Sequence, residues 1–153
     1  MKRLLLPLCL LACVAIFQSG CKTGASIIVT GLRVELTGIE RTADGATTVN
    51  WRVVNPNVAP YLIGHSSHKI FLNGTLVGTV AEKNAMAVPA QTNVNATGGL
   101  VVAGAEAEKL LASLARQGPA SYRVESNVLV IIYGDTEEKG DFVTSGSVSV
   151  TTK

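Results

Sequence analysis

Alternation of apolar and polar side chains constrains this chain more than any other feature. Leu32, Val34 and Leu36 alternate with Arg33 and Glu35, and Val49, Trp51 and Val53 alternate with Asn50 and Arg52. Successive side chains of a strand point to opposite faces, so each run predicts a strand with one face buried and one in water. Residues 70–80 hold Asn73-Gly74 between two apolar-rich arms. That dipeptide favours a tight hairpin, because both positions tolerate positive φ. Residues 91–102 read as one further extended stretch. Tyr122, Val124, Val128, Val130 and Ile132 predict a long strand, residues 134–140 a charged turn holding Glu137 and Glu138, and residues 142–150 the last strand.

The period changes once. Over residues 103–117 the apolar positions Ala107, Leu110, Leu111, Leu114 and Ala115 make a helical stripe. Glu106 and Glu108 lie near its start and Arg116 near its end, as the helix dipole prefers, and Gly118-Pro119 stops it. The stripe is expected to face the core, since the opposite face is not basic enough for a membrane surface. Five or so strands, one amphipathic helix and a long hairpin predict a mainly β fold. The expected form is an immunoglobulin- or fibronectin III-like antiparallel sandwich with the helix before the last hairpin.

The first residues follow a different logic. Lys2 and Arg3 precede an almost unbroken apolar run from Leu4 to Phe17, and Gln18-Ser19-Gly20 then supplies small residues before Cys21. That order predicts a secretory signal peptide over residues 1–20. An uncleaved anchor is the competing reading, although the run is short for a membrane span. Gln18-Ser19-Gly20-Cys21 resembles a lipobox, departing from the usual pattern at Gln18, where an aliphatic residue is commoner. The chain has three cysteines; Cys9 and Cys13 would leave with the signal, so Cys21 would be the only remaining thiol and could form no intrachain disulfide. Acylation of Cys21 resolves that liability. Because one acyl chain binds only marginally and each buried methylene adds about 0.8 kcal/mol, several chains would hold it firmly.

Residues 21–26 are then a lipidated cysteine with a short tether, and 27–153 the folded domain. Lys22 after Cys21, rather than Asp, favours the outer membrane, facing the periplasm, by the sorting rule of enteric-type bacteria. The whole chain has 13 Lys+Arg and 11 Asp+Glu. Loss of Lys2 and Arg3 leaves the two signs equal, with the cations scattered singly. A phosphate-neutralising surface needs clustered ones, so nucleic-acid binding is set aside.

Asn55-Pro56-Asn57 closes the strand that contains Trp51, and the Asn73-Gly74 hairpin follows. Val88-Pro89-Ala90, the extended segment from Thr92, the helix with Leu110-Leu111 and the strand opened by Tyr122 come next in order. Together these resemble the water stress and hypersensitive response (WHy) domain of the group 2, or atypical, late embryogenesis abundant (LEA) proteins, across residues 32–150. The resemblance implies a sandwich with one added helix and an association with desiccation, osmotic or cold stress. It implies no catalytic residues; the family motif falls on Asn55, Pro56 and Asn57. Read from the residues alone, Pro56 removes a donor and ends the strand. It also drives Asn55 into extended geometry. The tripeptide is then a rigid strand-to-loop corner, with a recognition loop as the sharper alternative.

His65-Ser66-Ser67-His68 is the one segment that invites chemistry. In an extended segment residues three apart point to opposite faces, so the rings would not share a metal, and no acidic residue nearby completes a triad. The expectation is two exposed loop or edge histidines, with no metal, no cofactor and no enzymatic activity. The leading functional expectation is a membrane-anchored stress-protection module, with membrane lipid as the partner of acylated Cys21. The alternative is a cell-envelope interaction or assembly protein that meets a protein partner through a sheet edge or loop. A hydrolase or metal enzyme is the third and least favoured reading.

Overall fold

The computed structural model describes residues 30–132 and 136–153. The 1–20 signal segment, Cys21 and the 21–26 tether lie outside the described residues. Among the described residues the elements run β1 (Arg33–Arg41), β2 (Thr47–Asn55), β3 (Tyr61–Leu72), β4 (Thr75–Glu82), β5 (Met86–Val88), β6 (Thr92–Gly99), β7 (Val101–Val102), α1 (Ala105–Leu114), β8 (Ala120–Ile132), β9 (Thr136–Val148) and β10 (Val150–Thr152). They form a β-sandwich. One sheet has the order β10-β1-β2-β6; the other runs β7-β4-β3-β8-β9, with β5 also paired to β3. All pairs are antiparallel except β10, which runs parallel to β1.

The alternation builds the core as expected. Val34, Leu36, Val49, Trp51 and Val53 are buried from the first sheet, and Ile70, Leu72, Val77, Val124 and Val130 from the second. Burying each such aliphatic side chain contributes about 1.5–3 kcal/mol. The Asn73-Gly74 hairpin is also present, with φ of 48° and 84°. Asn73 is fixed further by its Oδ1, which accepts from Ser121 N at 3.1 Å and from Ser121 Oγ at 3.0 Å.

The helix is shorter than its apolar stripe. Gly104, at φ 134°, sits before its first turn, and residues 115–117 continue only as a tightened turn with Arg116 N donating to Ser113 O and Gln117 N to Leu114 O. Ala107, Leu111 and Leu114 are buried, and the helix packs on β4. Arg41 of β1 pairs with Glu108 and also donates from Nη1 to its backbone oxygen at 3.3 Å, tying the helix to the first sheet.

Three segments differ from the sequence reading. Residues 91–102 are two strands in different sheets: β6 pairs with β2, the chain turns at the buried Leu100, and β7 pairs with β4. Gly78 makes room for that crossing, because a Cβ there would lie 2.4 Å from Val101 O. Residues 142–150 likewise change sheets. The chain leaves β9 at Val148, Ile39 N donates to Ser149 O at 3.1 Å, and β10 adds to β1.

Finally, 134–140 is not all turn. Glu137, Glu138 and Lys139 already pair with Ile131, Val130 and Leu129 on β8. They lie on an edge strand, where charge is tolerated and discourages edge-to-edge association. Their polarity imitated a loop.

Candidate functional site

The Asn55-Pro56-Asn57 corner is built from the end of β2. Asn55 is 1% exposed, so its amide needs partners. Its Nδ2 donates to Ala59 O at 2.8 Å, to Pro89 O at 3.0 Å and, more distantly, to Val88 O at 3.4 Å. Its Oδ1 accepts from Asn57 N at 3.0 Å, closing an Asx turn over Pro56. One side chain thus joins the end of β2, the following loop and the end of β5. Asn57 works outward: its backbone oxygen accepts from Gln91 N at 2.9 Å, and its Nδ2 donates to Thr30 O at 3.1 Å. Pro56 covers Gly31, where a Cβ would approach Pro56 Cγ to 3.2 Å. The polar atoms of Asn55 are turned into the protein, which is the geometry of a corner bracket. The bracket also grips Thr30 and Gly31, where the chain enters the domain.

The histidine segment is not a loop. Residues 65–68 lie inside β3, flanked by β4 and β8. A register shift between Ile63 and His65 changes which parity faces inward: Tyr61 and Ile63 are buried before it, Ser66, His68 and Ile70 after it. His65 is exposed and His68 is 1% exposed, so the expectation of two exposed histidines is corrected for His68. The polar run Gly64–Ser67 hid a central strand, and the bulge could not be read from spacing. The two rings do point to opposite faces. Among the described residues no group of three His, Cys, Asp or Glu side chains comes together as metal ligands.

His68 has its own environment. Its Nδ1 lies 2.9 Å from Ser126 Oγ, the residue directly opposite it on β8. Its ring sits 5.6 Å from that of Trp51, tilted by 58°, so one residue of each sheet meets between them. Among the described residues neither His68 Nε2 nor Trp51 Nε1 has a hydrogen-bond partner. Burial pushes the imidazole pKa down to about 4, which leaves the ring neutral at pH 7. Ser126 is 58 positions away in sequence, and no local signal pairs it with His68.

Among the described residues each outer sheet face carries a concave surface. The smaller, about 340 Å³, lies over β3, β8 and β9 between Lys69, Asn127, Asp141 and Val143. Its polar groups bind one another: Asn127 Nδ2 donates to Asp141 Oδ1 at 2.7 Å, and Glu125 pairs with Arg123, which stacks 3.9 Å over Phe71. The larger lies on the outer face of the other sheet.

No family model matches the chain, and no curated protein matches it in sequence. Solved structures do. AT1g01470 from Arabidopsis thaliana superposes with a TM-score of 0.50 at 14% identity, over 79% of this chain and 80% of that one. The solution structure of At2g46140.1, described as a late embryogenesis abundant protein, gives a TM-score of 0.47 at 9% identity, over 95% and 86%. A protein from Archaeoglobus fulgidus gives 0.45 at 16% identity, over 77% and 94%. The fold is therefore shared with AT1g01470.

Proposed function

We propose that this chain is a non-catalytic LEA-like module of the WHy type, held to a membrane of the cell envelope by acylated Cys21 and protective under desiccation or osmotic stress. The observation that carries the reading is the corner: Asn55-Pro56-Asn57 ends the tryptophan-bearing strand and clamps the chain where it enters the sandwich. The lipobox-like Gln18-Ser19-Gly20-Cys21 supports the tether. Thr30 lies nine positions after Cys21, a reach of at most about 32 Å when fully extended. The clamped end would then be the membrane-proximal end, and the bracket would pass the tether's pull into a buried hydrogen-bond hub rather than into a fraying terminus. Among the described residues no helix is long and apolar enough to cross a membrane.

A strain lacking the gene is expected to survive drying or hyperosmotic shock less well than its parent. Full-length protein should restore survival and Cys21→Ala should not. Equal survival of deletion and parent across both stresses would remove the protective role; full rescue by Cys21→Ala would remove the tether.

A second reading, an envelope assembly protein, is favoured by one feature. β9 is a 13-residue edge strand whose distal half, from Phe142 to Val148, carries no charge and exposes Val143. Such an edge can accept an added strand. Crosslinking from position 143 that captures one dominant envelope protein would favour this reading over general protection.

A further inference from the structure

From the outer face of the β10-β1-β2-β6 sheet we infer a binding groove for a neutral, hydroxyl-rich saccharide, lined by Thr37, Glu40, Asn50, Asn95, Thr97 and Ser149. The concavity measures about 710 Å³. It arises from a local irregularity. The β1–β2 register shifts between Leu36 and Gly38, and Gly38, opposite Asn50, has no side chain to fill the middle of the face. Strands β6 and β10 raise its two sides, with Asn95 and Thr97 on one and Ser149 and Thr151 on the other.

The lining selects by chemistry. A chain of side-chain bonds crosses the floor: Thr97 Oγ1 donates to Asn50 Oδ1 at 2.8 Å, Asn50 Nδ2 donates to Glu40 Oε1 at 3.2 Å, and Lys153 pairs with Glu40. These contacts hold amide and carboxylate in fixed directions. One amide hydrogen and one oxygen lone pair of Asn50 are left over, since an asparagine amide carries two donors and an acceptor oxygen with two lone pairs. Asn95, Thr37 and Ser149 are exposed and, among the described residues, make no side-chain hydrogen bond.

Donors and acceptors therefore stand close together on a pre-arranged floor, which suits vicinal hydroxyls. Charge narrows the class further. The one carboxylate of the lining is matched by Lys153, and the nearby Arg52 is bound to Glu35 at 2.6 Å. Among the described residues lining the groove there is no unmatched cation to take a phosphate or carboxylate ligand. The exposed residues of the lining, Thr37, Asn95, Thr97, Ser149 and Thr151, set hydroxyls and amides beside threonine methyls, which matches the mixed O–H and C–H faces of a sugar ring. The groove stands on the described face alone and does not depend on the tether.

Amide chemical shifts of the full chain, titrated with maltotriose, cellotriose and chitotriose and with inorganic phosphate as a charged control, test this. At least one of the three sugars is expected to give saturable shifts centred on Gly38, Asn50, Asn95 and Thr97 by about 10 mM, enough to reveal a Kd near 1 mM. Gly38→Val should fill the groove and weaken that binding by about tenfold or more. It should leave the melting temperature close to wild type, because a Cβ at Gly38 meets only Asn50 Nδ2, at 3.8 Å, and φ there is not positive. Asn95→Ala, which breaks no internal bond, should also weaken binding, and decides the matter if Gly38→Val fails to fold. Absence of saturable shifts with all three sugars would overturn the assignment. So would shifts centred elsewhere, equal binding by Asn95→Ala, or phosphate binding in the groove in place of a sugar.

Discussion

Asn55→Ala should cost about 2–4 kcal/mol of folding stability, read as a lower urea midpoint with an unchanged m-value. The substitution removes a 1% exposed amide whose donors serve Ala59, Val88 and Pro89 and whose oxygen holds Asn57 N. Buried backbone groups left without partners cost about 1–3 kcal/mol each, and a small cavity adds to that. Asn55→Asp should be at least as damaging, because it keeps the acceptor for Asn57 N but turns a carboxylate toward three carbonyl oxygens. Asn57→Ala, which loses one exposed bond to Thr30 O, should cost only about 0.5–1.5 kcal/mol. A loss below about 1 kcal/mol for both Asn55 variants would mean that the corner is not held by this amide.

Mild acid should destabilise the domain through His68. The folded ring has a pKa of about 4 against 6.5 for the free side chain. Between those values the unfolded chain binds the proton and the folded one does not, so stability is complete above pH 6.5 and falls as pH drops toward 4. The full effect is about 3 kcal/mol. His68→Leu should flatten the stability–pH slope over pH 6.5–4.5, whatever its own stability at pH 7, because it removes the titrating group. Glu40 is held below its ordinary range by the hydrogen bond and charge of Lys153, and Asp44 by bonds from Thr42 and Ala46. Their contributions are lost only as pH falls below their ordinary values of 4.5 and 3.8, so they overlap the acid end of the His68 window and leave its upper part to the imidazole. An unchanged slope in His68→Leu would contradict the assignment.

The sandwich was legible because its strongest strands bury one face only. Val49, Trp51 and Val53 on β2 and Val34 and Leu36 at the start of β1 alternate cleanly, and the hairpin dipeptide fixed where β3 ends and β4 begins. The rest was hidden for three physical reasons. Gly64 and the shift beside it break the parity of β3, so a central strand looked like a polar loop around His65 and Ser66. Edge strands carry charge, so Glu137 and Glu138 imitated a turn. Changes of sheet at Leu100 and Ser149 leave no gap in extended character, so two pairs of strands read as two strands. Pro56 announced the corner, but two of the partners of Asn55, Val88 and Pro89, come from more than 30 positions downstream, and only the fold brings them to it. The groove around Gly38 gave no sequence signal, since it depends on four strands lying side by side.

The tether is the claim on which the proposed role turns, and intact mass spectrometry of the protein extracted from membranes tests it directly. The expected species is a mature chain that begins at Cys21 and carries the added mass of two or three acyl chains with their glyceryl linkage, recovered in the envelope fraction. A chain that keeps residues 1–20, or one that begins with an unmodified Cys21 in the soluble fraction, would contradict it.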